Sequence, residues 1–293
     1  MKILIFGANG MLGTALHRLF SSDARFETWG TLRSPDAMAH FPESARGRLI
    51  SGVDVTRPDE VAGAVHRAQP DLVLNAAGIV KQLAVANDPM VAIPVNALFP
   101  HQLAALCGSA GARMVHISTD CVFSGRRGGY TEDDQSDAED LYGRSKFLGE
   151  VDGLAHVLTL RTSGIGHENG TRLGLVEWFL GETGRVKGFR KAIYTGFPWV
   201  EVARVIRDVV IPAPHLHGLY HVSSEPITKF DLLHLIATVY NKSIEIVPDD
   251  EVRIDRSLDS SHFRKATGYA PPPWPELVQL MHANRPTSSA NVR

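Results

Sequence analysis

The sequence predicts a Rossmann-type, doubly wound α/β fold with a smaller C-terminal substrate-binding lobe, and three observations carry that expectation. Short β-rich runs alternate with helical stretches through the first 163 residues. The strand-like runs are apolar on both faces, as strands of a covered parallel sheet are. A glycine-rich turn follows the first of them directly.

The candidate strands are 2–6, 27–31, 49–55, 72–76, 114–118 and 157–161, with helices expected over 11–20, 58–67, 100–109 and 142–151. Leu72-Val73-Leu74 and Met114-Val115-His116-Ile117 fit strands buried on both sides. After Arg161 the rhythm loosens. Four glycines in 164–174 suggest a flexible loop at the mouth of a cleft. A late strand is expected at 218–222 and an amphipathic helix at 229–240. Pro271-Pro272-Pro273-Trp274-Pro275 argues against helix or central strand. The expected organisation is a nucleotide-binding unit over 1–163, also receiving about 199–224. A substrate-binding lobe follows over 164–198 and 225–285, with a disordered tail at 286–293.

Composition excludes several classes. The 293 residues carry 30 basic and 32 acidic side chains, a formal charge of −2 that gathers neither nucleic acid nor an anionic membrane. Apolar runs are strand-sized, so no bilayer span is expected, and the short apolar N-terminus does not read as a secretory signal. Cys107 and Cys121 are too few for a disulfide framework. His215 and His217 lack a third ligand at metal spacing, so no metal is expected. A cytoplasmic protein is expected, with a homodimer left open.

Gly7-Ala8-Asn9-Gly10-Met11-Leu12-Gly13 links the first strand to the first helix with G-x-x-G-x-x-G spacing. Glycines there let the backbone approach a pyrophosphate, and the helix N-terminus offers N–H groups to it. The second strand ends without a carboxylate and with Arg33, which suits a 2′-phosphate and favours NADPH over NADH. Asp54-Val55 can meet an adenine edge, and Asn75-Ala76-Ala77 can pass beneath the cofactor; turn chemistry explains both equally well.

Tyr142 and Lys146 stand four apart on an expected helix, hence on one face. A phenol titrates near pH ~10, and a neighbouring ammonium is expected to lower that value toward the working range. The lysine can also hold a nicotinamide ribose. Ile117-Ser118-Thr119 closes the fifth strand, where parallel sheets bind ligands. Thr119 is the candidate hydroxyl for a substrate carbonyl, with Ser118 behind it.

These segments, with Val95-Asn96-Ala97, Ser118–Gly125 and Leu160-Arg161-Thr162-Ser163, resemble the extended short-chain dehydrogenase/reductase superfamily. More narrowly, they resemble the dTDP-4-dehydrorhamnose reductase family over about the first 165 residues. The resemblance implies hydride transfer from NADPH to C4 of a 4-keto-6-deoxy nucleotide sugar, with Tyr142 as proton donor. It implies that Asn96 supports the site and that Thr162-Ser163 lie near the nicotinamide. Thr119, Asp120 and Cys121 fall on the substrate side. Two departures stand out. Cys121 occupies a position where relatives often carry Tyr and where related dehydratases place a glutamate. Gly164 occupies the position of a tryptophan that packs on the sugar, so that platform is missing or supplied from elsewhere.

Lys187, Arg190, Lys191 and Tyr194 form a basic and aromatic cluster that suits a nucleotide diphosphate as well as a solvated loop. An epimerase of the same superfamily and a non-catalytic NADP-binding regulatory subunit remain alternative readings.

Overall fold

The computed structural model describes residues 1–168 and 173–285. The tail at 286–293 and part of the glycine-rich loop lie outside the described residues. Twelve strands are present among the described ones: β1 Lys2–Phe6, β2 Glu27–Leu32, β3 Leu49–Ser51, β4 Leu72–Asn75, β5 Arg113–Thr119, β6 Val157–Thr162, β7 Gly164–Ile165, β8 Arg185–Tyr194, β9 Phe197–Pro198, β10 Gly218–His221, β11 Ile227–Thr228 and β12 Glu245–Asp255.

Seven of them form one sheet in the order β10-β6-β5-β4-β1-β2-β3, with every pairing parallel. The chain builds outward from β1 to one side, then returns to its other side with β4. The crevice between the C-terminal ends of β1 and β4 is therefore the switch point where such sheets take ligands. Alternation along β1 sends Ile3 and Ile5 into one core layer and Leu4 and Phe6 into the other. Apolar side chains on both faces bury the strand from Ile3 to Phe6, as the sequence pattern requires.

A second, three-stranded sheet has the order β11-β8-β12, and β7 pairs with β9 apart from both. The sequence reading missed β8 and β12. Both carry runs of charged residues with few buried positions, so neither shows the apolar run of a covered strand.

Several local expectations are corrected. The third strand stops at Ser51 rather than Val55, because Gly52 turns the chain at φ 76° and Asp54 starts a side-chain-capped turn. The helix expected to reach Val151 ends at Leu148, where Gly149 lies so close to Asn96 that a Cβ would meet its carbonyl oxygen at 1.9 Å. Trp274 and Pro275 open a helix, Trp274–Ala283, because proline is tolerated in a first turn that has no intrahelical N–H bonds to lose. Apolar runs are not all strand-sized either. Residues 89–110 form one 22-residue helical run of mean hydropathy 1.4, long and apolar enough to cross a membrane. Half of its most apolar stretch is buried in the fold, where Phe99, Leu103 and Cys107 join the core beneath β4 and β5. A π-helical segment at Ile93–Leu98 interrupts the run at Pro94 and turns Asn96 inward.

Candidate active site

The turn after β1 brings three backbones together. Gly7 has φ 77°, and a Cβ there would lie 2.8 Å from the Cα of Ala77. A Cβ on Gly13 would lie 2.0 Å from the Gly7 carbonyl oxygen. Only glycine permits both approaches, which leaves a shallow backbone cradle at the start of helix Met11–Ser21. Gly10, Met11 and Leu12 line a cleft of about 240 Å³ with Ala76, Ala77, Ser118, Thr119, Tyr142, Lys146 and Thr162. Asn9 is exposed at the turn, Arg33 is exposed beyond the end of β2, and Val55 is half-buried. Asp54 accepts bonds from the backbone N–H and hydroxyl of Thr56, which hold its carboxyl below the usual range.

Asn75 and Asn96 stand behind the cleft wall, Asn75 where a cofactor contact is expected and Asn96 as the support that the resemblance implies. Asn75 is fully buried, bonding to His116 through its amide at 3.1 Å and to the Ala77 N–H at 3.2 Å. Asn96 is buried and bonds to Ile79 and to the Ser145 hydroxyl. Neither faces the cleft; both hold its walls, Asn75 the Ala76-Ala77 turn and Asn96 the helix carrying Tyr142.

That helix, Leu141–Leu148, is capped by Asp140, whose carboxylate accepts from the Gly143 N–H at 2.7 Å. A Cβ on Gly143 would lie 2.2 Å from the Cys121 carbonyl oxygen, so glycine lets the helix press against the end of β5. Tyr142 is thereby set beside Thr119 on the cleft wall. Thr119 also accepts from the Cys121 N–H and donates to Asp120, each at 3.1 Å. Lys146 is 6% exposed and donates to the Ile117 carbonyl at 2.7 Å.

The electrostatics differ from expectation. Burial lowers Lys146 to about 8. Tyr142 is not lowered: desolvation, then the neighbouring Cys121, push its phenol above the ordinary range, and the bond with Thr119 only partly opposes this. The phenol therefore stays protonated, which suits a proton donor. Burial also raises Asp120, while Cys121 is pushed up to about 12 and remains a thiol rather than a nucleophile.

The sequence reading missed a buried polar network behind these groups. Arg161 pairs with Glu150 at 2.7 Å, with side chains 3% and 7% exposed. Ser118 donates to the same carboxylate at 2.6 Å, so its hydroxyl is turned away from substrate. Arg161 also meets His221 at 3.2 Å and lies over the Phe123 ring. The signal was present as a carboxylate and a guanidinium in expected buried elements, but their pairing is tertiary.

A second cavity of about 300 Å³ adjoins the cleft, sharing Met11, Lys81, Cys121, Ser163 and Gly164 with it. Tyr194 and Asp120 border it, as do Lys229 and Arg256, which the sequence reading overlooked. Lys187 and Arg190 do not. They are exposed on β8 and pair with Asp249 at 2.8 Å and Asp250 at 2.5 Å across the small sheet. Among the described residues no three His, Cys, Asp or Glu side chains converge as a metal site needs.

Fold and cleft together define the class: a Rossmann-type α/β protein with a Tyr-x-x-x-Lys helix pressed against a hydroxyl-bearing strand end. The chain belongs to the family described as RmlD substrate binding domain, whose model matches residues 1–285. It is 35% identical over 152 residues to the dTDP-4-dehydrorhamnose reductase of Burkholderia thailandensis, covering 52% of this chain and 45% of that protein. The chain thus spans about half the length of the curated reductases it matches. Methionine adenosyltransferase 2 subunit beta of Danio rerio is 27% identical over 277 residues, covering 85% of this chain and 77% of that protein. In fold, the chain resembles the dTDP-4-dehydrorhamnose reductase of Bacillus anthracis, solved in complex with NADP. That likeness has a TM-score of 0.79 at 21% identity and covers 97% of this chain and 99% of that one.

Proposed function

We propose that this protein reduces the 4-keto group of a nucleotide-linked 6-deoxy sugar with NADPH, in the synthesis of activated sugars. The observation that carries the reading is the convergence of Tyr142, Thr119 and Lys146 in one cleft beside the glycine cradle. The residues fit the cofactor. The cradle admits a diphosphate only because Gly7 and Gly13 lack a Cβ. The Thr162 hydroxyl, buried beside the cleft, has no hydrogen-bond partner among the described residues. Gly10, Met11 and Leu12 would hold the phosphates, Ala76 and Ala77 the ring system, and Lys146 the ribose. Arg33 and the lack of a carboxylate at the end of β2 favour NADPH, with NADH the alternative.

When bound, the nicotinamide supplies the hydride. Thr119 would turn its one hydroxyl proton from Asp120 to the keto oxygen and polarise it, and Tyr142 would pass its phenolic proton to the developing alkoxide. The charge of Lys146 would then ease the phenolate that remains. Lys229 and Arg256, with Tyr194 beside them, take over the diphosphate-binding role first assigned to Lys187 and Arg190. The separate sheets support a nucleotide-binding unit of 1–163 with about 199–224, and a substrate lobe from 164–198 and 225–285. A homodimer finds support in exposed Met90, Ile93, Leu98, Phe147 and Leu148 on neighbouring helices. The substrate and cofactor classes point to the cytoplasm.

A regulatory role is the second reading, favoured by the long alignment with methionine adenosyltransferase 2 subunit beta. The retained Tyr142, Lys146 and Thr119 support catalysis. A panel of 4-keto-6-deoxy nucleotide sugars separates the readings. A reductase consumes one NADPH per keto group lost, an epimerase shows no net consumption, and a regulatory subunit binds NADPH without turnover.

A further inference from the structure

Gly164 and Trp199 fit each other in a way that neither the family match nor the cleft residues explain. β7 and β9 pair in parallel with Gly164 opposite Phe197 and Ile165 opposite Pro198. That register sets Trp199, the first residue of helix Trp199–Val205, directly over the β7 backbone. A Cβ on Gly164 would lie 2.3 Å from two atoms of the indole ring, and one on Gly166 would lie 3.3 Å from a third. The ring therefore fills the volume that a side chain at 164 would take, and it lies flat on a glycine floor. Its N–H has no hydrogen-bond partner among the described residues, so packing alone sets the ring plane.

Trp199 is half-buried and borders two spaces. One is the cleft with Thr119, Tyr142 and Lys146. The other is a groove of about 320 Å³ lined by Arg18, His167 and Met281. The indole, with Met11, thus forms the partition between them. Among the described residues it is also the one aromatic ring besides Tyr142 on the wall of the cleft. A hexose has an apolar face of C–H groups as well as polar hydroxyls, and a flat aromatic surface is the natural partner for that face.

We propose that Trp199 is the wall against which the hexose ring of the substrate lies, setting its keto carbon beside Tyr142. The proposal rests on the nucleotide-sugar reading above. Trp199 is a positioning and specificity-determining residue, not a proton-transfer group. Its absence leaves the sugar loose between two merged cavities, and a displacement of about 1 Å at the reacting carbon costs on the order of 100-fold in rate.

The test uses the full chain saturated with NADP⁺ and reads tryptophan emission. dTDP-glucose, which has no keto group to reduce, is compared with dTDP. The chain has four tryptophans. The wild type is expected to show an emission change with dTDP-glucose that dTDP alone does not give, and Trp199→Phe is expected to lose it. Equal responses to the two ligands in the wild type, or an extra response that survives in Trp199→Phe, overturn the proposal. Turnover gives a second arm. Trp199→Ala should lose about 100-fold in kcat/KM for the sugar nucleotide while NADPH affinity is little changed. Gly164→Ala should lose activity alone yet add nothing in the Trp199→Ala background, since its clash is with the ring. Unaltered kcat/KM in Trp199→Ala overturns the proposal. A sugar-specific emission change without turnover of any keto sugar would instead refute the reductase reading and leave the aromatic wall in place.

Discussion

Two basic regions flank the same small sheet, and their side chains have opposite company. Lys187, Arg190 and Lys191 stand exposed on β8, and Asp249, Asp250 and Glu251 of β12 neutralise them at 2.5–3.8 Å. Lys229 and Arg256 come from the adjoining helix and the end of β12, border the cavity, and pair with no carboxylate among the described residues. The first cluster is dense in sequence and spent on its neighbour strand. The second is sparse in sequence: Arg256 donates to the Phe123 carbonyl at 2.7 Å and Lys229 lies over the Phe189 ring, and neither is held in an ion pair among the described residues. Counting cations along a chain does not separate paired charges from unpaired ones, because a parallel strand 60 residues away decides which charges are paired.

The largest expected effect comes from a third cation, Arg161, in the buried limit of the comparison. Arg161→Ala leaves Glu150 ionised and unpaired inside the protein, and chemical denaturation should record a loss of about 3–5 kcal/mol. A loss near that of a surface substitution would show that the pair is hydrated after all.

Next come the cavity cations. Arg256→Ala or Lys229→Ala should raise KM for the nucleotide sugar by roughly 10- to 100-fold, the usual effect of a charge-assisted bond, with NADPH affinity retained. Raised salt should weaken sugar-nucleotide binding in the wild type more than in these variants.

Lys146 supplies a pH effect of known sign. Its folded value of about 8 lies below the ordinary 10.5 of lysine, so folding disfavours its charged form. That penalty is full below pH about 8 and fades as pH rises from there toward 10.5. Lys146→Met should therefore raise Tm at pH 7, with a gain that shrinks by pH 10, while abolishing most activity. A Tm that falls at pH 7 would contradict the burial argument.

The smallest effect belongs to the paired surface. Lys187→Ala and Arg190→Ala should leave KM and Tm unchanged within error, because exposed ion pairs contribute little. A rise in KM matching that of Arg256→Ala would restore the first assignment and erase the distinction between the two regions.

What was legible in the sequence follows the same division between local and distant causes. The glycine turn, the buried strands and the Tyr142–Lys146 face are set by short-range spacing, and each could be read from a few consecutive residues. The short sheet could not, because β8 and β12 have few buried positions and lack an apolar run to announce them. Asn75 was legible as important but not as a support, and Asn96 as a support only through the family resemblance, since their partners, His116, Ile79 and Ser145, come from elsewhere in the fold. The rise in Tyr142 was hidden for a related reason. A lysine four residues away suggested a lowered phenol, but the enclosure that decides the matter is built by Cys121, Thr119 and the end of β5.

The central claim is that Tyr142 delivers the proton to a reduced keto sugar. NADPH oxidation by wild type and Tyr142→Phe, measured with 4-keto-6-deoxy nucleotide sugars, tests it most directly. The account predicts turnover of at least one such sugar by the wild type and a loss of about 100- to 10,000-fold in kcat for Tyr142→Phe, with NADPH binding retained. Equal turnover in the two proteins would contradict it.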